Sequence, residues 1–227
     1  MSTKELAKLS QLHYLIDKHG KKKGAKKIEK KLEGTGYELE KLKRGVAVYR
    51  NKESGESVLG VKGTDVSNRR DILSDIRLGL GLSKHDSQFK SRTKQIKEHM
   101  KKEEPNSTIL IGHSLGGSIV TSAMAKSKSV RDNVKEVHNF NSGYTKAFNS
   151  ELSKGLSKDD KKVLKDKLVH HHVENDVIST ALTGRGTIGR VMKHKSDDAS
   201  PLAKHSLTNW TDESGPEPHT QEEILGE

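Results

Sequence analysis

The chain has 227 residues, and its 42 Lys and Arg against 31 Asp and Glu give a net charge of +11 at pH 7. Leu, Ile, Val and Phe make up about 22% of it, just above the roughly 20% below which a highly charged chain stays unfolded, so one thin core is predicted and two are excluded. The absence of Cys excludes disulfides, a thiol nucleophile and cysteine metal sites, and an aromatic content of 4% leaves a base-stacking nucleic-acid platform poorly supplied.

Leu6, Leu9, Leu12, Leu15 and Ile16 recur every three or four residues, which predicts an amphipathic helix ended by Gly20. A lysine-dense continuation runs to Lys31 and stops at Gly34-Thr35-Gly36. Residues 1–36 are therefore expected to form a basic amphipathic helical segment. Its lysines are either the solvated face of a packed helix or a membrane anchor, with Lys21, Lys22, Lys23, Lys26 and Lys27 as the candidate membrane contacts. The first residues hold no apolar leader core, and no run reaches the roughly 18 apolar residues of a membrane span. The expectation is cytoplasmic synthesis, with a membrane-peripheral location or packaging in a virion left open.

Val46–Tyr49 and Ser57–Val61 read as a hairpin, closed by Gly63-Thr64-Asp65. Asp71–Arg77 carries Ile72, Leu73 and Ile76 on one helical face, and the Gly-loosened stretch to Leu82 follows. A long basic helix is predicted from Ser87 to Lys102, before Pro105. Thr108–Ile111 reads as a buried strand, Gly112–Gly117 opens a helix, and Glu136–Asn141 and Leu168–Val173 are further strands. Strands alternating with helices predict an α/β fold with a mostly parallel central sheet and right-handed crossovers. The six acids and absent Lys and Arg of residues 211–227 mark an acidic tail.

Gly112-His113-Ser114-Leu115-Gly116 is a G-x-S-x-G sequence, weak by composition but here placed between an apolar strand and an apolar helix. That context makes Ser114 the candidate nucleophile. A serine needs a base and an acid that orients it, in the order Ser, Asp or Glu, His. Asp176, directly after strand 168–173, is favoured over Glu174, Asp197 and Asp198. His205 is favoured as base over His194, flanked by Lys193 and Lys195, and over His219 in the acidic tail, because Leu207 and Trp210 can pack it down. The backbone N–H of Leu115 and a donor from Gly63-Thr64 are the candidate oxyanion hole. His113 reads as packed rather than catalytic. The row His170-His171-His172 reads as a solvated or core-edge strand, with no metal or other cofactor implied.

These residues resemble the class 3 (triacylglycerol) lipase family across 37–210. Val61–Asp65 is similar to its strand-end R-G-T motif, and Asp71–Asp75 to its D-W-x-x-D segment with Ile in place of Trp. Gly112–Gly117 matches the G-H-S-L-G-G elbow in full, and Phe140–Gly143 resembles the F-x-x-G strand end. Asn175–Ser179 and His205–Trp210 resemble the acid and histidine segments. The resemblance implies an α/β-hydrolase domain over 37–210 that cleaves lipid esters, with Thr64 in the oxyanion hole. It also implies a lid after Thr64, where Ile72, Leu73, Ile76, Leu78, Leu80 and Leu82 are the candidates.

The positive charge favours anionic membrane lipid as substrate surface, hence a phospholipase A-like esterase, and ranks nucleic acid behind it. The Lys18–Lys31 segment, lying outside the hydrolase domain, would join helix 87–102 as one docking surface. The alternatives are a retired hydrolase scaffold used for binding and a small-ester or thioester hydrolase.

Overall fold

A computed structural model describes residues 1–43, 45–63, 87–176, 187–195, 204, 206, 207 and 210. Seven strands form one sheet whose spatial order is the chain order: β1 (Tyr37–Lys43), β2 (Val46–Asn51), β3 (Ser57–Val61), β4 (Thr108–His113), β5 (Val134–Phe140), β6 (Leu168–Val173) and β7 (Arg190–His194). β1, β2 and β3 are antiparallel, and β3 through β7 pair in parallel. The expected mixed but mostly parallel sheet is therefore present, with the hairpin at β2–β3.

Strand order dictates where the helices go. Crossovers of one hand that always advance in the same direction stay on one side of a sheet. Accordingly α3 (Ser87–Met100), α4 (Leu115–Lys126), α5 (Lys128–Asn133), α6 (Lys146–Ser153) and α7 (Lys158–Lys167) all cover one face. Phe89, Ile96, Ile119, Met124, Val130, Phe148 and Leu164 pack there on Val48, Leu59, Leu110, Val137 and Leu168. Arg131 ties this layer together. Its guanidinium donates to the carbonyls of Met124 and Ala125 at the end of α4, and pairs with Asp160 of α7 at 2.6 Å.

The opposite face is left to the chain ends. α1 (Thr3–Leu12), capped by a reciprocal Ser2–Glu5 box, and α2 (Leu15–Leu32) bury Leu6, Leu9, Leu12, Ile28 and Leu32. These side chains meet Ala47, Tyr49, Val58, Ile109, Ile111 and Phe140, together with Leu207 and Trp210. α1 and α2 thus form the second layer of the sheet. The apolar stripe is as predicted; the helix breaks first at His13-Tyr14, and Gly20, at φ 73° and ψ 162°, ends its continuation as expected, residues 21–32 forming a second helical segment within α2. Lys21, Lys22, Lys23, Lys26 and Lys27 are exposed on α2. α2 and α3 pack on opposite faces of the sheet.

The expectation for β6 is corrected as well. All six of its residues are buried, His170, His171 and His172 included, because β6 lies between two strands rather than at an edge. Among the described residues no helix is long and apolar enough to cross a membrane.

Candidate active site

Ser114 follows the last residue of β4 and precedes the first of α4, with φ 55° and ψ −127°. A non-glycine residue is held there only when the surroundings over-determine it. Backbone hydrogen bonds do so. Ser114 N–H donates to Phe140 O at 3.0 Å, and Ser114 O accepts from Gly117 N at 3.0 Å and from Gly143 N at 3.2 Å. Glycines make the tight approach sterically feasible: a Cβ on Gly116 would lie 2.1 Å from Val61 O, and one on Gly117 would lie 2.3 Å from Ser142 Oγ. Ser114 is 1% exposed, and among the described residues its Oγ has no hydrogen-bond partner. Leu115 opens α4, so its N–H belongs to the unsatisfied first turn of a helix whose dipole favours negative charge.

Strand β3 delivers the chain to the same place. A Cβ on Gly63 would come within 2.9 Å of Ser114 Cβ and 2.7 Å of His113 O. Gly63 N–H donates to Tyr14 Oη at 3.1 Å, and Tyr14 Oη in turn pairs with His113 Nδ1 at 2.7 Å. Arg92 of α3 donates to Lys62 O, and Lys62 pairs with Asp17 of α2. The turn between α1 and α2 therefore reaches the elbow, and His113 is buried in that contact, as its packed reading requires. Thr64 and the lid candidates Ile72, Leu73, Ile76, Leu78, Leu80 and Leu82 lie outside the described residues.

On the other side of the elbow, Asp176 sits just past β6, fully buried, with its N–H bonded to Val173 O at 3.1 Å in a turn that places Asn175 at φ 62°. The parallel pairing of β4, β5 and β6 carries Ser114 and Asp176 to the same edge of the sheet. His205, Asp197, Asp198 and His219 lie outside the described residues. Leu207 and Trp210 are buried in the second cluster, and Lys204 O accepts from Asn141 Nδ2 at 2.9 Å. The rival acid Glu174 is half-buried and donates its N–H to His194 O.

His194, the rival base, belongs instead to a ladder across three strands. His138 Nδ1 pairs with His171 Nε2 at 2.9 Å, and His171 Nδ1 with His194 Nε2 at 3.3 Å. Glu136 closes the outer end on His138 at 3.4 Å, and His194 meets the Trp210 ring edge-on at 4.3 Å. Burial depresses His194 to about 4 and holds His171 well below the usual imidazole range, so both are neutral at pH 7. Burial likewise lowers His170 to about 4, even though its ring pairs with Ile188 O at 3.0 Å. No group of described residues has the geometry to hold a metal ion. The alternation of His138 with Glu136 and Phe140 along β5 was the one signal for this ladder, and it requires knowing which strands are neighbours.

A groove of about 490 Å³ between α3 and α4 is lined by Phe89, Ser122 and five lysines, among them Lys94 and Lys126, and by none of the elbow residues.

Residues 5–192 match the family described as Tle-like phospholipase domain, under the heading phospholipase-like. No curated protein matches the chain. The crystal structure of M37 lipase is similar at a TM-score of 0.48 and 14% identity, covering 91% of this chain and 81% of that one.

Proposed function

We propose that this chain, which belongs to the Tle-like phospholipase domain family and is a lipid ester hydrolase, acts through an acyl-enzyme on Ser114 at anionic membrane surfaces. The observation that carries the serine mechanism is the strained Ser114 conformer between a parallel strand and a helix, φ 55° and ψ −127°. Ser114 Oγ attacks the ester carbonyl carbon as His205 takes its proton, and Asp176 orients the imidazole and stabilises its cation. The N–H of Leu115 and a donor from Thr64 hold the oxyanion. Collapse of the tetrahedral intermediate breaks the ester C–O bond, and His205 protonates the departing alcohol. Water, deprotonated by His205, then attacks the acyl-enzyme and releases the fatty acid, restoring Ser114. Segment 71–82 serves as the lid.

Ser114→Ala is expected to reduce ester hydrolysis by about 10⁴-fold or more with an unchanged circular dichroism spectrum. Near-wild-type turnover by the purified variant, or failure of a fluorophosphonate probe to label Ser114 in the parent, ends this reading.

Substrate preference follows from charge. Lysines near anionic headgroups each contribute roughly 1 kcal/mol to membrane attraction at modest salt. The exposed Lys21, Lys22, Lys23, Lys26 and Lys27 on α2 support docking on phospholipid rather than on neutral fat. Hydrolysis at low salt should be faster on vesicles containing phosphatidylglycerol than on pure phosphatidylcholine, and equal rates would remove the preference.

A further inference from the structure

Asn141 lies one residue beyond β5, fully buried, at φ 44°. Asn is among the few non-glycine residues that adopt this left-handed region readily. Its backbone N–H donates to His171 O at 2.8 Å. Both ends of its side-chain amide are used, and each goes to a different segment. Oδ1 accepts from Val173 N–H at 3.0 Å, at the end of β6, and Nδ2 donates to Lys204 O at 2.9 Å. Val173 is also the residue whose carbonyl closes the turn carrying Asp176. Lys204 is the residue before His205 in the chain. On either side of Asn141, Phe140 O and Gly143 N are bonded to the backbone of Ser114.

Segment 140–143 therefore touches the nucleophile turn, the acid turn and the residue next to the base, and the side chain of Asn141 spans the last two. We infer that Asn141 is a positioning residue: its amide sets the spacing between the Asp176 turn and the His205 segment. This rests on the Ser114–Asp176–His205 reading and adds a fourth residue to it. An amide suits the task because it offers one acceptor and one donor in a fixed plane, matching the N–H of Val173 and the carbonyl of Lys204. Ser would be too short to reach both, and Ala would remove both bonds.

The test uses the full chain, a soluble p-nitrophenyl butyrate substrate and two variants. Asn141→Gly adopts φ 44° without strain and removes both side-chain bonds. Asn141→Asp keeps the acceptor for Val173 and loses the donor to Lys204. In both, kcat is expected to fall about 10- to 100-fold, the scale of a misplacement of about 1 Å in a catalytic constellation, with KM changed less than about twofold. The rate of Ser114 labelling by a fluorophosphonate should fall in parallel. In Asn141→Gly the acid limb of the kcat/KM profile should also move down by about one pH unit, because the imidazolium loses its oriented carboxylate. A residue that only stabilises the fold would lower the melting temperature and leave that limb in place. Wild-type kcat with an unmoved acid limb, or an effect on KM alone, overturns the inference. Should the Gly variant not fold, the kcat and KM of the Asp variant decide. Full activity of Ser114→Ala would instead overturn the triad reading itself, so the two failures are distinguishable.

Discussion

The two faces of the sheet are built from different material. Behind the elbow, α3 to α7 pack a largely aliphatic layer in which the buried cation Arg131 donates to carbonyls at a helix end and Asn139 Nδ2 donates to Gly117 O and Thr121 Oγ1. Across the sheet, α1, α2 and the residues around Trp210 cover a face studded with groups that titrate or donate: Tyr49, His138, His171 and His194. The first face locks Ser114 by shape. The second tunes its neighbourhood by hydrogen bonds and charge, through Tyr14 at Gly63 and Asp17 at Lys62. Geometry that must not vary is thus assigned to apolar contact, and the layer open to pH and salt stands on the opposite side.

The largest expected effect tests the shape-locked face. Gly116→Ala places a methyl group 2.1 Å from the backbone oxygen of Val61, an atom that cannot swing aside, so α4 must lift from β3. A loss of about 3 kcal/mol or more is expected in urea denaturation. An unchanged midpoint would mean that the helix is not seated against the sheet as described.

Acidification comes next and should act mainly on the second face. His194 and His170 stand near 4 and His171 well below its usual value, so between pH 6.5 and about 4 the unfolded chain binds more protons than the folded one. Their contribution is complete above pH 6.5 and is lost as pH falls toward 4, roughly 3 kcal/mol each for His194 and His170. Replacing His171 and His194 with Phe and Leu should flatten the melting temperature against pH in this window more than His170→Leu does. An equal or larger flattening by His170→Leu would break the comparison.

The smallest effect on the fold is predicted for the lysines of α2. Changing Lys21, Lys22, Lys23, Lys26 and Lys27 together to Gln should alter stability by less than about 0.5 kcal/mol, since exposed charges away from buried partners carry little of it. The same variant should sediment less with anionic vesicles, and undiminished sedimentation would move the docking surface elsewhere.

Strands that lie inside the sheet were legible because burial on both sides leaves an apolar run: β3 and β6 have the predicted bounds, and the elbow is written in consecutive residues. Edge strands were not. β1 carries an irregularity between Leu39 and Lys41 that breaks its alternation, and β7 offers only Val191 as a buried residue. α7 buries Leu164 alone and reads as a charge run. Partners distant in the chain were equally invisible: Asn141 meets Lys204 across 63 positions and Tyr14 meets His113 across 99. Nor could local pattern reveal that α2 and α3 lie on opposite sides, which depends on the path of every crossover between them.

The sequential strand order has a consequence for how the molecule is made. α1 and α2 leave the ribosome before any strand they cover, and Leu207 and Trp210 arrive after all seven are synthesised. The face shared by Tyr49, Ile109, Ile111 and Phe140 is therefore completed by segments that lie before and after all seven strands in the chain. Contacts that close loops of such length form slowly, and until they do the growing sheet presents one apolar side to whatever else is in solution.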